Sequence, residues 1–390
     1  MKISFKAASL LFIGIAVVAC SDDDDNNNTT VTKAQVIENY ANIVHANYLK
    51  AYEDAVVLET AITTFTATPT AANFNAAKDK WKQARESYGT TEAFRFANGP
   101  IDAEDGPEGL LNAWPLDENY IDYVEGATDA GIINHIAEYP TITKAVLTDL
   151  NEAGGEKNIS IGYHAIEFLL WGQDLTAPAD NMPGQRPYTD YLTTGGTASN
   201  QARRSDYLKV CADLLTDHLQ SLVDEWKVGG TYRTTFLALP ENTALQNIYT
   251  GIATLAAAEL AVERMDVALL NEDQEDEHSC FSDNTHRDIY LNLKGVVNVY
   301  EGEYGNIDGP SLEDLVEQQN AVLANETDDA IDLALSKVNA IKTPFDIAIS
   351  GGPTSAEGAK VKAAVIQLQT LGANLIAGAA SLGITVNTAG

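Results

Sequence analysis

Gly162-Tyr163-His164-Ala165-Ile166-Glu167-Phe168-Leu169-Leu170-Trp171-Gly172-Gln173-Asp174 sets an imidazole and a carboxylate three residues apart inside an apolar run. Positions i and i+3 share one face of a helix, so His164 and Glu167 point the same way. Neither belongs among apolar side chains without a partner. A neutral imidazole nitrogen and a carboxylate oxygen make half of a first-row transition-metal site. The other donors must then come from elsewhere in the chain. A helical bundle supplies such sites from the inward faces of facing helices.

Outward from this stretch the pattern stays helical. Lys33 to Thr66 carries Val36, Ile37, Tyr40, Ile43, Val44, Tyr48, Tyr52 and Val56 at close to a 3.6-residue period. Asn73 to Phe96 reads as a second helix, stopped by Gly99-Pro100. Residues 100–123 are irregular and rich in Gly, Pro and acid. Short helices are expected around Ile132–His135 and Thr143–Asn151, and residues 177–199 read as a loop. Long helices follow at Gln201–Trp226, Thr243–Leu270, His286–Tyr300, Leu312–Val338 and Ala356–Leu382. No segment alternates with period 2. The expectation is an all-α protein of two helical bundles packed side by side, residues 34–205 and 206–390. The apolar run from Val365 to Val386 is broken by Gln367, Gln369, Asn374 and glycines, and reads as a buried helix rather than a membrane span.

Residues 1–20 read as an export signal: Lys2 and Lys6, a short apolar stretch, then Val17-Val18-Ala19-Cys20. The end of that signal resembles a lipobox, which makes Cys20 the lipidation site. Residues 21–33 form an acidic tether with almost nothing to pack. An acidic run directly after a lipidated cysteine resembles a surface-export signal. The protein is therefore expected at the outer membrane, on the cell surface or facing the periplasm, with the lipid as its only membrane contact. The formal charge of −32 repels nucleic acid and anionic headgroups. Cys211 and Cys280 remain, and whether they pair is open.

Three further groups of residues bear chemistry. The connector from Glu275 to Asp288 packs His278, Cys280 and His286 among carboxylates, and Ser282, Asp283 or Asn284 could instead cap the next helix. Glu259, Glu263 and Asp266 lie on the Thr243–Leu270 helix. Glu259 and Asp266 continue its buried stripe, and a carboxylate there needs Arg, metal or water. Arg264 is close in sequence but projects from a different face of an α-helix. Glu92 and Arg95 stand at i,i+3, where an exposed ion pair is the ordinary outcome. There is no H-E-x-x-H, G-x-S-x-G, P-loop or dinucleotide fingerprint.

Gly162, His164 and Glu167 form a G-x-H-x-x-E motif. With Thr91-Glu92-Ala93-Phe94-Arg95-Phe96, Asn112-Ala113-Trp114-Pro115-Leu116-Asp117 and Glu259 through Leu270, it makes the chain resemble the imelysin-like family, whose members include iron-regulated envelope proteins and a protein named for cleaving insulin. The connector Glu277–Asp288 resembles the iron-regulated branch. The resemblance covers most of the chain in order and implies an all-α fold of two bundle-like domains with a site near their interface. It implies His164 and Glu167 as metal ligands, with Glu92, Arg95, Ser282 and Asp283 as ligand-binding residues. The cargo implied is iron, another divalent metal, or an iron-bearing small ligand, handled with envelope uptake partners. A metal-dependent peptidase is the alternative, although two donors fall short of a zinc site and no base can be named. A module for a glycan or protein partner, using Trp114, Trp171 and tyrosines, is the other. Coordination needs a neutral imidazole, so binding should weaken as pH falls through about 6.5.

Overall fold

The computed structural model describes residues 30–387. The expected export signal with Cys20, and the expected tether through residue 29, lie outside the described residues. Helix α1, Lys33–Ala67, begins at Thr32: its hydroxyl accepts the Gln35 backbone N–H, and the Gln35 side chain accepts the Thr32 N–H. This reciprocal capping box starts a helix that buries Val36, Ile37, Tyr40, Val44, Tyr48, Leu58 and Ile62 on the face the periodicity marks.

Helix α2, Ala71–Gly89, ends seven residues short of Phe96. It tightens there into a 3₁₀ turn, Thr90–Phe94. The Thr90 and Thr91 hydroxyls donate back to the Ser87 and Tyr88 carbonyls at 3.2 and 2.6 Å, the local side-chain bonding that competes with α-helix. This turn carries Glu92 into the interior, where its carboxylate is 1% exposed.

Six more long elements follow. They are α3, Gly162–Trp171; α4, Gln201–Trp226; α5, Glu241–Thr254; α6, Thr285–Glu301; α7, Leu312–Asn339; and α8, Gly358–Ser381. The fold is 66% helical. Among the described residues, the two strands form a hairpin of two residues each, Glu303–Tyr304 with Ile307–Asp308. The expected helix at 132–135 is a turn instead. The Ile132 and Ile133 N–H groups bond the carbonyls of Tyr120 and Ile121 at 2.9 and 3.1 Å, which ties this turn to the segment before it.

Helices α1, α2 and α4 pack together, with α3 held between α2 and α4. A second set joins α5, α7 and α8. Helix α6 touches members of both: α2 and the 3₁₀ turn on one side, α7 on the other. The boundary expected at residue 205 falls inside α4, where buried Arg204, Tyr207 and Leu208 continue one face across it. From Val31 on, the chain closes into one compact unit. Helix α8 is long and apolar enough to cross a membrane by length and composition alone. Here its Val361, Val365, Leu368, Leu371 and Leu375 are buried, against α7 and the segment after α5.

That segment departs most from expectation. Thr243–Leu270 reads as one α-helix, but Leu255–Asp266 is a π-helix, followed by an α-helical turn, Val267–Asn271. Hydrogen bonds from i to i+5 bring residues five apart into line. Arg264 therefore reaches Glu259, Nη2 to Oε1 at 3.0 Å, the pairing an α-helix denies it.

Candidate functional site

All ten residues of α3 are buried. The helix can enter so deeply because Gly162 turns the chain at φ +90°, with the backbone of Leu111 against it: a Cβ at Gly162 would stand 2.7 Å from the Leu111 carbonyl oxygen. Both the left-handed conformation and the close approach require glycine. Gly162→Ala is expected to cost about 2–4 kcal/mol, read as a lower urea midpoint with an unchanged denaturant slope.

His164 and Glu167 are both 0% exposed, and His164 Nδ1 lies 2.9 Å from Glu167 Oε2. The other carboxylate oxygen, Oε1, accepts the Ser282 N–H at 3.0 Å and the Ser282 hydroxyl at 2.6 Å. Both Glu167 oxygens are thus engaged by protein. His164 Nε2 is buried and has no partner. The His164 ring packs against Trp114, centroids 5.0 Å apart, and against His278 at 4.7 Å.

His278 leads into a network of buried charges. Arg85, from α2, bonds Asp288 through Nε and Nη2 at 3.2 and 2.9 Å, donates to Asn112 Oδ1, and places Nη2 3.4 Å from His278 Nδ1. Ser279 Oγ donates to Asp288 as well. Asn112 Nδ2 donates to Glu92 Oε1 at 3.2 Å and stands 3.4 Å from His278 Nε2. Glu92 Oε2 accepts from Arg264 at 2.6 Å and from Arg95 at 3.4 Å. Arg264 also donates to Asn292 Oδ1, and Arg95 reaches Glu108 at 3.3 Å and Glu259 at 3.5 Å.

This field sets the protonation states. Burial pushes the Glu92 carboxyl up, but Arg264 and Arg95 outweigh it and hold it at about 2. Burial likewise opposes ionisation of Asp288, and Arg85 beside it keeps the carboxyl far below the ordinary range. Burial, then Arg264, depresses His278 to about 4. Burial, then His278 and Arg85, drives His164 well below its usual value. Burial raises Glu167 to about 8 against the opposing Ser282 bonds. Both imidazoles are neutral at physiological pH.

The network opens on a cavity of about 470 Å³ lined by Arg95, Asn112, Trp114, Arg264 and His278, with acidic residues around them. Of the residues expected to bind ligand, Arg95 lines it. Glu92 lies beneath, saturated by two arginines and Asn112. Ser282 clamps Glu167 and does not reach the cavity. Asp283 does not line it either: at φ +56° it stands beside Asp174 and Asp346, and burial with their charges raises it to about 7. Trp171 packs in the core against Trp81, centroids 5.3 Å apart. Cys211 and Cys280 are separate buried thiols. Among the described residues, no group of three or more His, Cys, Asp or Glu side chains is arranged to hold a metal ion.

A family model described as imelysin, Peptidase M75, matches residues 44–375. The chain belongs to the imelysin family. It is 27% identical over 349 residues to iron-regulated protein A of Synechococcus elongatus, covering 86% of this chain and 82% of that protein. Its fold is similar to the solved structure described as an iron-regulated protein A precursor from Parabacteroides distasonis. The TM-score there is 0.66 at 19% identity, over 90% of this chain and 96% of that one. In this imelysin the motif residues divide into distinct tasks: Gly162 admits the helix, Glu167 holds the imidazole, and His164 presents a nitrogen. His278, Arg85, Asp288, Asn112 and Arg264 complete the surroundings without any local motif to announce them.

Proposed function

We propose that this imelysin is an exported lipoprotein, anchored at Cys20 to the outer membrane, that binds an iron-bearing ligand in the cavity beside His164 and His278. The carrying observation is the unpartnered, buried Nε2 of His164 on a ring whose Nδ1 is held by a carboxylate. A histidine that ligates metal through one nitrogen is ordinarily oriented through the other by a carboxylate or carbonyl. Glu167 fills that role and is itself held by Ser282, so this reading moves it from ligand to orienting group. Iron is here the cargo, and one protein nitrogen leaves its other positions to water or to the ligand's own donors. The iron-regulated names of the relatives favour iron over other metals, and the lipobox and acidic leader support export.

Calorimetric titration of metal-stripped protein, purified without a metal-binding tag, tests this. Fe(II) under anaerobic conditions should bind at one equivalent per chain. His164→Ala should abolish binding, and Glu167→Gln should weaken it about 10–100-fold. Unchanged affinity in His164→Ala would overturn the reading.

A further inference from the structure

We infer that the cavity admits its cargo as a positively charged species and turns away anionic chelates. This deepens the iron reading and rests on it for the identity of the cargo. Six carboxylates line the cavity, from Glu108, Glu152, Glu156, Glu259, Glu263 and Asp276, against two guanidinium groups and no lysine. Both guanidinium groups already face carboxylates. Arg95 is tied to Glu92, Glu108 and Glu259, and Arg264 to Glu92, Glu259 and Asn292. Glu152, Glu156 and Glu263 are exposed at the rim. A ferric citrate complex would meet a wall with six carboxylates against two guanidinium groups.

Two independent features on the same wall favour a cation. The Trp114 indole lines the cavity, and an aromatic face attracts cations through its quadrupole. Buried His278, 4% exposed, lines it as well, a neutral imidazole with the unpartnered His164 nitrogen on the adjoining ring. A concave wall of one sign focuses the field and raises association rates for the opposite charge.

The decisive probe is hexaamminecobalt(III), a trivalent cation that keeps its own ligands and reads the wall's charge without coordinating His164. It is titrated at low salt into wild type, His164→Ala, and the rim variant Glu152→Gln/Glu156→Gln/Glu263→Gln/Asp276→Asn. A control of equal charge change is Glu317→Gln/Asp328→Asn/Asp329→Asn/Asp332→Asn on α7, none of which lines the cavity. The rim variant should bind about tenfold more weakly or worse, while the control and His164→Ala match wild type. Fe(II) association should slow by a similar factor in the rim variant with its dissociation rate unchanged. Wild type should prefer Fe(II) to ferric citrate. Equal weakening in rim and control variants, or a wild-type preference for ferric citrate, overturns the inference. If the hexaamminecobalt pattern holds but His164→Ala still binds Fe(II), the coordination reading fails and the cation-selective cavity stands.

Discussion

Arg85→Met is expected to destabilise this protein by about 3–5 kcal/mol, the cost of leaving a buried carboxylate without its partner. Arg85 and Asp288 are each 1% exposed and 2.9 Å apart. Methionine replaces the stem but gives Asp288 nothing to balance its charge. It also removes the donor to Asn112, which in turn supports Glu92. The loss is a large fraction of a typical domain's stability and should lower the melting temperature by about 5–10 °C. Asp288→Asn in the same chain should recover much of it, because neutral asparagine no longer needs the guanidinium. A second readout is His278, whose depressed pKa owes part of its shift to Arg85 and should rise in the variant, visible by NMR of the imidazole protons. Strict additivity of the two substitutions would mean the pair does not act as a unit.

The second large effect is in pH. Burial raises Glu167 from 4.5 to about 8, so the folded protein keeps a proton that the unfolded chain gives up. Stability from this group is complete below pH 4.5 and is lost as pH rises through about 8, by on the order of 5 kcal/mol. His164 and His278 act in the opposite sense. Their folded values are lowered, so their contribution is present above 6.5 and is lost as pH falls below it. The difference between wild type and Glu167→Gln isolates the glutamate: ligand-free wild type should lose stability relative to the variant between pH 5 and pH 8. A constant difference across that range would show that Glu167 is ionised throughout. Metal binding follows the same proton. The His164–Glu167 pair must release it before Nε2 can donate while Nδ1–H bonds the carboxylate. Affinity should therefore keep rising up to about pH 8, rather than levelling off just above the 6.5 expected from an ordinary histidine.

Helix extents were legible because they depend on neighbours in sequence. The apolar period of α1, the Gln201–Trp226 span of α4 and the start of α7 at Leu312 were all legible as local patterns. The close of α2 at Gly89 was hidden, because threonines also occur inside α-helices and their type alone does not announce the bonds to Ser87 and Tyr88. The π-helix was hidden too, since composition does not distinguish i+4 from i+5 bonding. With it went the Glu259–Arg264 pair.

An all-α protein with a glycine, an imidazole and a carboxylate on one apolar helix is legible from local pattern, because glycine tolerance and i,i+3 spacing are properties of the local chain. What those groups meet depends on long-range packing. Ser282 reaches Glu167 across 115 residues, Asp288 reaches Arg85 across 203, and Arg264 reaches Glu92 across 172. Each of these pairings satisfies a charge or dipole that burial would otherwise make costly. Burial is a property of the packed chain, so the partners, the neutral histidines and the free Nε2 emerge only once the helices are in place.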